Sequence, residues 1–278
     1  MSTPKTGAEA IPPLAARPLT APANGPLWGR RARDWSALQE PLVAPAYEAA
    51  FAHAGLGAGT RLLDVGCGSG FALQMAASRG AALAGIDASA ALLEIARERL
   101  PEAELQAGEI EELPFASERF DIVSGFNSFQ YAGNPVRALA EAKRVTRRGG
   151  QVLIVTWGRP EGMEAAQIIT ALRPLLPPPP PGAPGQFALS DETTLRAFAA
   201  DAGLVVAEVF DTDTPWTYAD LDTGLRALKS SGIAARAVDH SGEAAVDAAH
   251  AAVFAQFRQN DGSYRIKATF RCLLARVA

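Results

Sequence analysis

The run Leu62-Leu63-Asp64-Val65-Gly66-Cys67-Gly68-Ser69-Gly70 joins an apolar strand and a carboxylate to three alternating glycines. Glycine at 66, 68 and 70 lets the backbone turn tightly and approach a ligand with no Cβ in the way. The helix that follows offers unpaired N–H groups to a polar or anionic group. A strand-to-helix turn also uses glycine merely to turn, so the loop alone does not define a ligand. The dinucleotide fingerprint asks for a further glycine three residues after Gly68, where Phe71 stands. That departure counts against a nicotinamide or flavin site, as does a carboxylate at Asp64 inside the strand.

Two further acids follow at telling intervals. Asp87 ends an apolar strand about 20 residues past the first glycine, where a carboxylate accepts from both ribose hydroxyls of an adenosine. It can equally cap the helix that starts at Ala88-Ser89. Glu109, in Gly108-Glu109-Ile110-Glu111-Glu112-Leu113-Pro114-Phe115, can accept from the exocyclic amine of adenine while Ile110 packs on the ring. An acidic surface turn is the alternative there. The three histidines, His53, His240 and His250, are scattered and read as surface or packing residues. The two cysteines, Cys67 and Cys272, make no metal or redox spacing and read as small buried apolar residues. No cluster of carboxylates and histidines suggests a metal.

These residues need a scaffold, and the text around them supplies one. From Arg61 on, short apolar runs alternate with helical periods, the mark of a parallel α/β sheet. Strands are expected at 62–65, 82–87, 104–106, 120–124, 152–155 and 204–206. Helices are expected at 70–79, from a Ser89 cap to the stop at Pro101, at 135–148, and after a Ser190 cap. Tyr264 to Cys272 alternates apolar and polar side chains, as a strand at or near a sheet edge does. The fold class is therefore α/β: a doubly wound, Rossmann-like sheet of seven mostly parallel strands, the last antiparallel, carrying a helical lid insert over the C-terminal ends of the strands.

The domain reading is a disordered leader over 1–26 and one domain over 27–278. Within it lie a helical cap at 27–58, a core at 59–160, a proline-rich connector at 161–189 and a C-terminal part at 190–278, with the helical insert at 217–257. The chain has 278 residues, 48% of them hydrophobic and 20% charged, with a net charge of −4. That balance supplies a sizeable core and gives no basic surplus for a nucleic-acid or anionic-membrane partner. No apolar run is long enough for a signal peptide or a membrane span, so a cytoplasmic location is expected.

The glycine loop, Asp87 and the Glu109 turn, in this order and spacing, resemble the class I S-adenosylmethionine (SAM)-dependent methyltransferases. The likeness is to the type 11 group of small-molecule enzymes that includes ubiquinone and menaquinone methyltransferases. It covers Gly59 to Val155 and the final strand, and takes in Phe120-Asp121-Ile122-Val123, the helix start at Asn134-Pro135, and Arg144 to Gly150. The resemblance implies SAM as methyl donor, S-adenosylhomocysteine as product, no metal and a small-molecule acceptor. It implies that Asp64 holds the methionine amino group and that Gly66, Cys67, Gly68 and Gly70 line the methionine arm. By the same likeness Asp87 and Ala88 meet the ribose, Glu109 and Ile110 the adenine, and Phe126 and Asn127 lie near the sulfonium. Gln130 and Tyr131 stand where many relatives carry histidine, and an amide does not titrate, so Gln130 is no base. Acceptor contacts are expected from parts outside the common core: Trp28, Trp35, Tyr131, Trp216 and Tyr218, although these aromatics can equally anchor added helices. A non-catalytic SAM-binding protein would keep the same pocket.

Overall fold

The structure is a computed structural model that describes residues 19–178 and 186–278. Most of the expected leader, and the Pro179 to Gly185 part of the connector, lie outside the described residues.

The chain opens with helix α1 (Ala21–Gly29), the short α2 (Ala32–Asp34), a π-helical turn at Trp35–Gln39, a 3-10 turn at Glu40–Val43, and α3 (Ala44–His53). The leader boundary at 26 therefore moves: Pro22 sits in the first turn of α1, where a missing N–H costs nothing. Then come β1 (Arg61–Val65), α4 (Phe71–Ala77), β2 (Ala82–Asp87), α5 (Ala90–Arg99), β3 (Glu104–Ala107), β4 (Phe120–Phe126), α6 (Pro135–Val145) and β5 (Thr146–Trp157). Capping sets the starts. Ser89 accepts from Leu92 N–H at 3.3 Å, and Asn134 accepts from Arg137 N–H at 3.1 Å with Pro135 in the first turn.

The second half holds α7 (Glu164–Ala171), α8 (Glu192–Asp201), β6 (Val205–Asp213), β7 (Trp216–Tyr218), α9 (Leu221–Lys229), α10 (Gly232–Ser241), α11 (Glu243–Phe254), β8 (Tyr264–Ile266) and β9 (Thr269–Arg276). Three expectations change here. The connector begins with a helix, α7, whose Ala165, Ala166 and Ile168 are buried. Asp191, not Ser190, caps α8, accepting from Thr194 N–H at 3.0 Å; the Ser190 carbonyl instead accepts from Arg271 at 2.7 Å. The insert opens with a strand, β7, rather than a helix.

Seven strands form one sheet in the order β3-β2-β1-β4-β5-β9-β6, and β7 pairs with β8 separately. Pairings from β3 to β5 are parallel, while β9 runs antiparallel to both β5 and β6. The expected final strand is thus two. Between them Lys267 leaves the ladder: its N–H donates to Glu164 at 2.6 Å and its carbonyl accepts from Ala165 N–H. β9 lies one strand in from the edge, as expected of a strand at or near it, with β6 outside it. Its Arg271 is buried, and Asp211 meets the guanidinium with both oxygens at 2.7 Å.

Two apolar layers cover the sheet. One gathers Leu63, Val123, Leu139 and Val152 beneath α6 and α8, the other Leu62, Phe51, Leu73 and Leu153 beneath α3 and α4. A third packs Ile168 of α7 against Trp216, Phe254 and Ile266, holding the insert in place. The chain order of the strands reverses between β1 and β4. A crevice opens at such a point outside the carboxyl ends of the strands.

Candidate active site

One cavity occupies that crevice, enclosing about 1290 Å³ with its mouth. Its floor is made by the turns that follow β1, β2, β3 and β4: Gly66 and Gly68, Asp87 and Ala88, Glu109 and Ile110, Phe126 and Asn127. Its roof comes from α1 and the π-helical turn on one side and from the insert on the other.

Gly66, Gly68 and Gly70 all adopt positive φ, at +79°, +55° and +79°. At Gly66 a Cβ would also lie 2.5 Å from Ser128 Cβ, so glycine is required twice over. Asp87 pins this loop: one carboxylate oxygen accepts from Gly68 N–H at 2.9 Å, the other from Ser89 N–H at 2.8 Å. It therefore joins the loop to the start of α5. A carboxylate has about four acceptor positions, which leaves capacity for ribose hydroxyls.

Asp64 lies beneath the loop, in register with Gly85 and Ser124, and accepts from Ser124 Oγ at 2.7 Å. Burial, with the charges of Glu40 and Asp87, lifts its carboxyl to about 7, against the Ser124 bond. Glu40 was not singled out in the sequence, yet it is 4% exposed and bonds to Ser69 Oγ and to Arg99 at 3.1 Å. Arg99 reaches further, to the Ser69 carbonyl at 3.0 Å and Ser36 Oγ at 2.6 Å. This buried ion pair ties the N-terminal cap to the glycine loop. In the sequence, Glu40 is one polar residue among Leu38 and Leu42, indistinguishable from a solvated one.

The expected residues divide on inspection. Asp64, Cys67 and Gly70 do not line the cavity. Cys67 Sγ packs toward Gly85, and burial raises its thiol well above its ordinary value; Gly70 sits against Ala96. Glu109 lines the cavity but is engaged, with one oxygen on Ala21 N–H at 2.8 Å and the other on Ile110 N–H at 2.9 Å. It caps α1. Phe126 packs edge-on to Tyr47 at 4.4 Å, and Asn127 holds a left-handed backbone while accepting from Gln130 Nε2 at 2.8 Å. A non-glycine residue in that conformation beside a cavity stores strain where ligands bind.

Trp28, Trp35, Tyr131 and Trp216 line the cavity, and Trp28 stacks edge-on to Trp35 at 4.9 Å and to Tyr131 at 5.7 Å. Burial lifts the Tyr131 phenol to about 12. Tyr218 is not at the cavity; its hydroxyl donates to Gln39 at 2.8 Å inside the roof. The expectation for histidine also divides. His53 is exposed, stacks on Phe210 at 3.9 Å and pairs with Glu208, whereas His250 is 2% exposed and lines the cavity. Its signal was in the sequence: Val246, His250 and Phe254 recur every four residues, so His250 lies in the buried stripe of α11. Among the described residues no three His, Cys, Asp or Glu side chains are grouped to hold a metal, and no helix is long and apolar enough to cross a membrane.

A doubly wound sheet with a glycine turn and a pinned acid at its switch point is a setting in which this architecture receives nucleoside-bearing ligands. Residues 63–154, about a third of the chain, match the family model described as "Methyltransferase domain". An uncharacterized protein of Mycobacterium tuberculosis (strain ATCC 25618 / H37Rv) is 33% identical over 176 residues, which is 62% of this chain and 63% of the relative. A demethylmenaquinone methyltransferase of Renibacterium salmoninarum is 33% identical over 102 residues, 37% of this chain and 43% of the relative. The chain thus spans less than two thirds of the curated relatives it matches. The crystal structure of YcgJ from Bacillus subtilis shares the fold, with a TM-score of 0.54 at 19% identity over 84% of this chain and 98% of that one.

Proposed function

We propose that this protein transfers the methyl group of SAM to a small, largely apolar acceptor. One observation carries the reading: a single cavity runs from the glycine loop and Asp87 to a chamber walled by Ile168, Leu172, Leu228, Ile233 and Phe270. Two ligands, one polar and one apolar, suit its two ends.

The residues at the polar end fit SAM. The positive-φ loop allows close approach of a ligand backbone, Asp87 keeps acceptor capacity, and Asp64, Glu40 and Asp87 place negative charge below a cationic donor. SAM supplies an activated methyl on a positive sulfonium. The chain's own residues then hold, orient and exclude water. Asp87 takes the ribose and Ile110 the adenine, with Glu109 shared between the adenine and α1. Asp64 answers the methionine amino group through the loop. Trp28 packs edge-on against Trp35 and Tyr131 in the cavity wall, where the three rings exclude water. Holding acceptor and methyl in line, in a dry site, supplies most of what a pre-activated methyl transfer needs.

Mass spectrometry of ligands carried through purification should find SAM or S-adenosylhomocysteine. An assay for S-adenosylhomocysteine release across hydroxylated arenes, quinols and acyl thioesters should then give turnover with apolar members. Binding of the nucleoside without release on any compound would replace the reading with a non-catalytic SAM-binding protein. No nucleoside binding at all would remove both.

A further inference from the structure

Among the described residues, four cavity-lining side chains carry a buried polar atom with no hydrogen-bond partner: Ser128 Oγ, Trp157 Nε1, Trp216 Nε1 and His250 Nδ1. Folded proteins pair nearly all such atoms, and those left unpaired at one cavity mark where a ligand is received. Two of the four are indole N–H groups, which donate only. Their rings meet edge-on with centroids 5.7 Å apart. The imidazole of His250 comes from α11.

We propose that His250, Trp157 and Trp216 form the polar end of the acceptor chamber and that the acceptor is an apolar molecule bearing a hydroxyl there. The assignment rests on the methyltransferase reading for the word acceptor only; the subsite itself stands on the cavity. A hydroxyl satisfies both kinds of partner, donating to an unprotonated imidazole nitrogen while accepting from an indole N–H. The imidazole is suited to this because it stays neutral: burial and the nearby Lys229 ammonium push it down to about 4, against the pull of Asp247. Lys229 is itself held by Glu243 and Asp247, each at 2.9 Å, so the charges around α11 are paired with one another and not with the ring. His250 is therefore a positioning group for the acceptor and no proton carrier at neutral pH.

The test uses the full chain saturated with S-adenosylhomocysteine and two probes, 2-naphthol and naphthalene, titrated by tryptophan fluorescence. The wild type should bind the naphthol about tenfold more tightly. His250→Leu should erase that preference while leaving naphthalene and S-adenosylhomocysteine affinities unchanged, and should raise the thermal midpoint, because it removes a buried unpaired nitrogen. His250→Gln, which keeps an amide donor and acceptor, should retain part of the preference and serves if the leucine variant misfolds. Equal affinity for the two probes in the wild type, binding of neither, or a preference that survives in both variants overturns the subsite. Failure of S-adenosylhomocysteine to bind, with the naphthol preference intact, overturns the methyltransferase reading and leaves the subsite standing.

Discussion

A carboxyl held near 7 below a site for a cation makes ligand binding a proton-release reaction. Burial is the main cause at Asp64, with the Glu40 and Asp87 charges adding to it, and the ordinary value of 3.8 becomes about 7. The native state therefore keeps this proton across a range where the unfolded chain has lost it. Stability falls as pH rises from about 4 to about 7, by up to about 4 kcal/mol at 1.36 kcal/mol per unit, and is level above. A cationic ligand reverses the preference, since it favours the ionised form. SAM affinity should thus be greatest above pH 7 and decline below it, about tenfold at pH 6 and approaching a hundredfold at pH 5. Calorimetry in two buffers of different ionisation enthalpy should count close to one proton released per SAM at pH 6. Asp64→Asn keeps the shape and a polar partner for Ser124 but cannot titrate. It should flatten the profile between pH 5 and 7 and bind SAM at least tenfold more weakly at pH 8. A wild-type affinity constant from pH 5 to 8, or an asparagine variant with the wild-type slope, would refute the charge argument.

Three other outcomes follow from the site. Asp87→Ala unpins Gly68 and removes a charged acceptor; with charged hydrogen bonds worth about 1.5–3 kcal/mol, SAM affinity by calorimetry should drop at least tenfold while circular dichroism stays unchanged. Gly66→Ala places a methyl 2.5 Å from Ser128 Cβ in a left-handed backbone, so SAM binding should be lost and the thermal midpoint lowered, with partial recovery in the Gly66→Ala/Ser128→Gly pair. Arg30 clamps α1 to the insert through both Asp239 oxygens, at 2.6 and 2.8 Å, and the Ala235 carbonyl at 3.0 Å. Because the pair is half exposed, Arg30→Met should cost at most about 1 kcal/mol of stability. It should nonetheless speed S-adenosylhomocysteine release several-fold in stopped flow, and an unchanged rate would mean that the roof does not gate the site.

The legible parts of this molecule are those fixed by short-range pattern. The glycine loop, Asp87 and the strand periods around them were readable because turn geometry and alternation are local properties. Contacts between distant segments were not. Nothing near Glu40 or Arg99 in the chain announces their pairing, which depends on how the N-terminal cap folds back over β1. Glu109 lines the cavity, but its bond to Ala21 comes from a segment whose sequence reads as leader. The single alternating strand expected at the C-terminus breaks because Glu164, about 100 residues away, takes up the Lys267 amide. His250 looks like any scattered histidine when taken singly, and only the four-residue stripe it shares with Val246 and Phe254 marks it as buried.

The strand order also dictates a timetable for synthesis. β6 pairs only with β9, and the outer side of β5 is likewise satisfied only by β9, so both edges stand open until β9 leaves the ribosome. Trp28 has its own wait: the first turn of α10, against which it packs, and Asp239, which holds Arg30, follow some 200 residues later. At about 5–20 residues per second Trp28 waits roughly 10–40 s, while the strand edges stand open for less, since β9 follows β5 by about 110 residues and β6 by about 55. The core around β1 to β4 can form early, but the chamber that receives the acceptor is assembled last and from both ends of the chain. A nascent chain arrested shortly before residue 264 would therefore lack β8 and β9 and leave the facing edges of β5 and β6 unpaired. It would expose the kind of apolar edge that chaperones recognise.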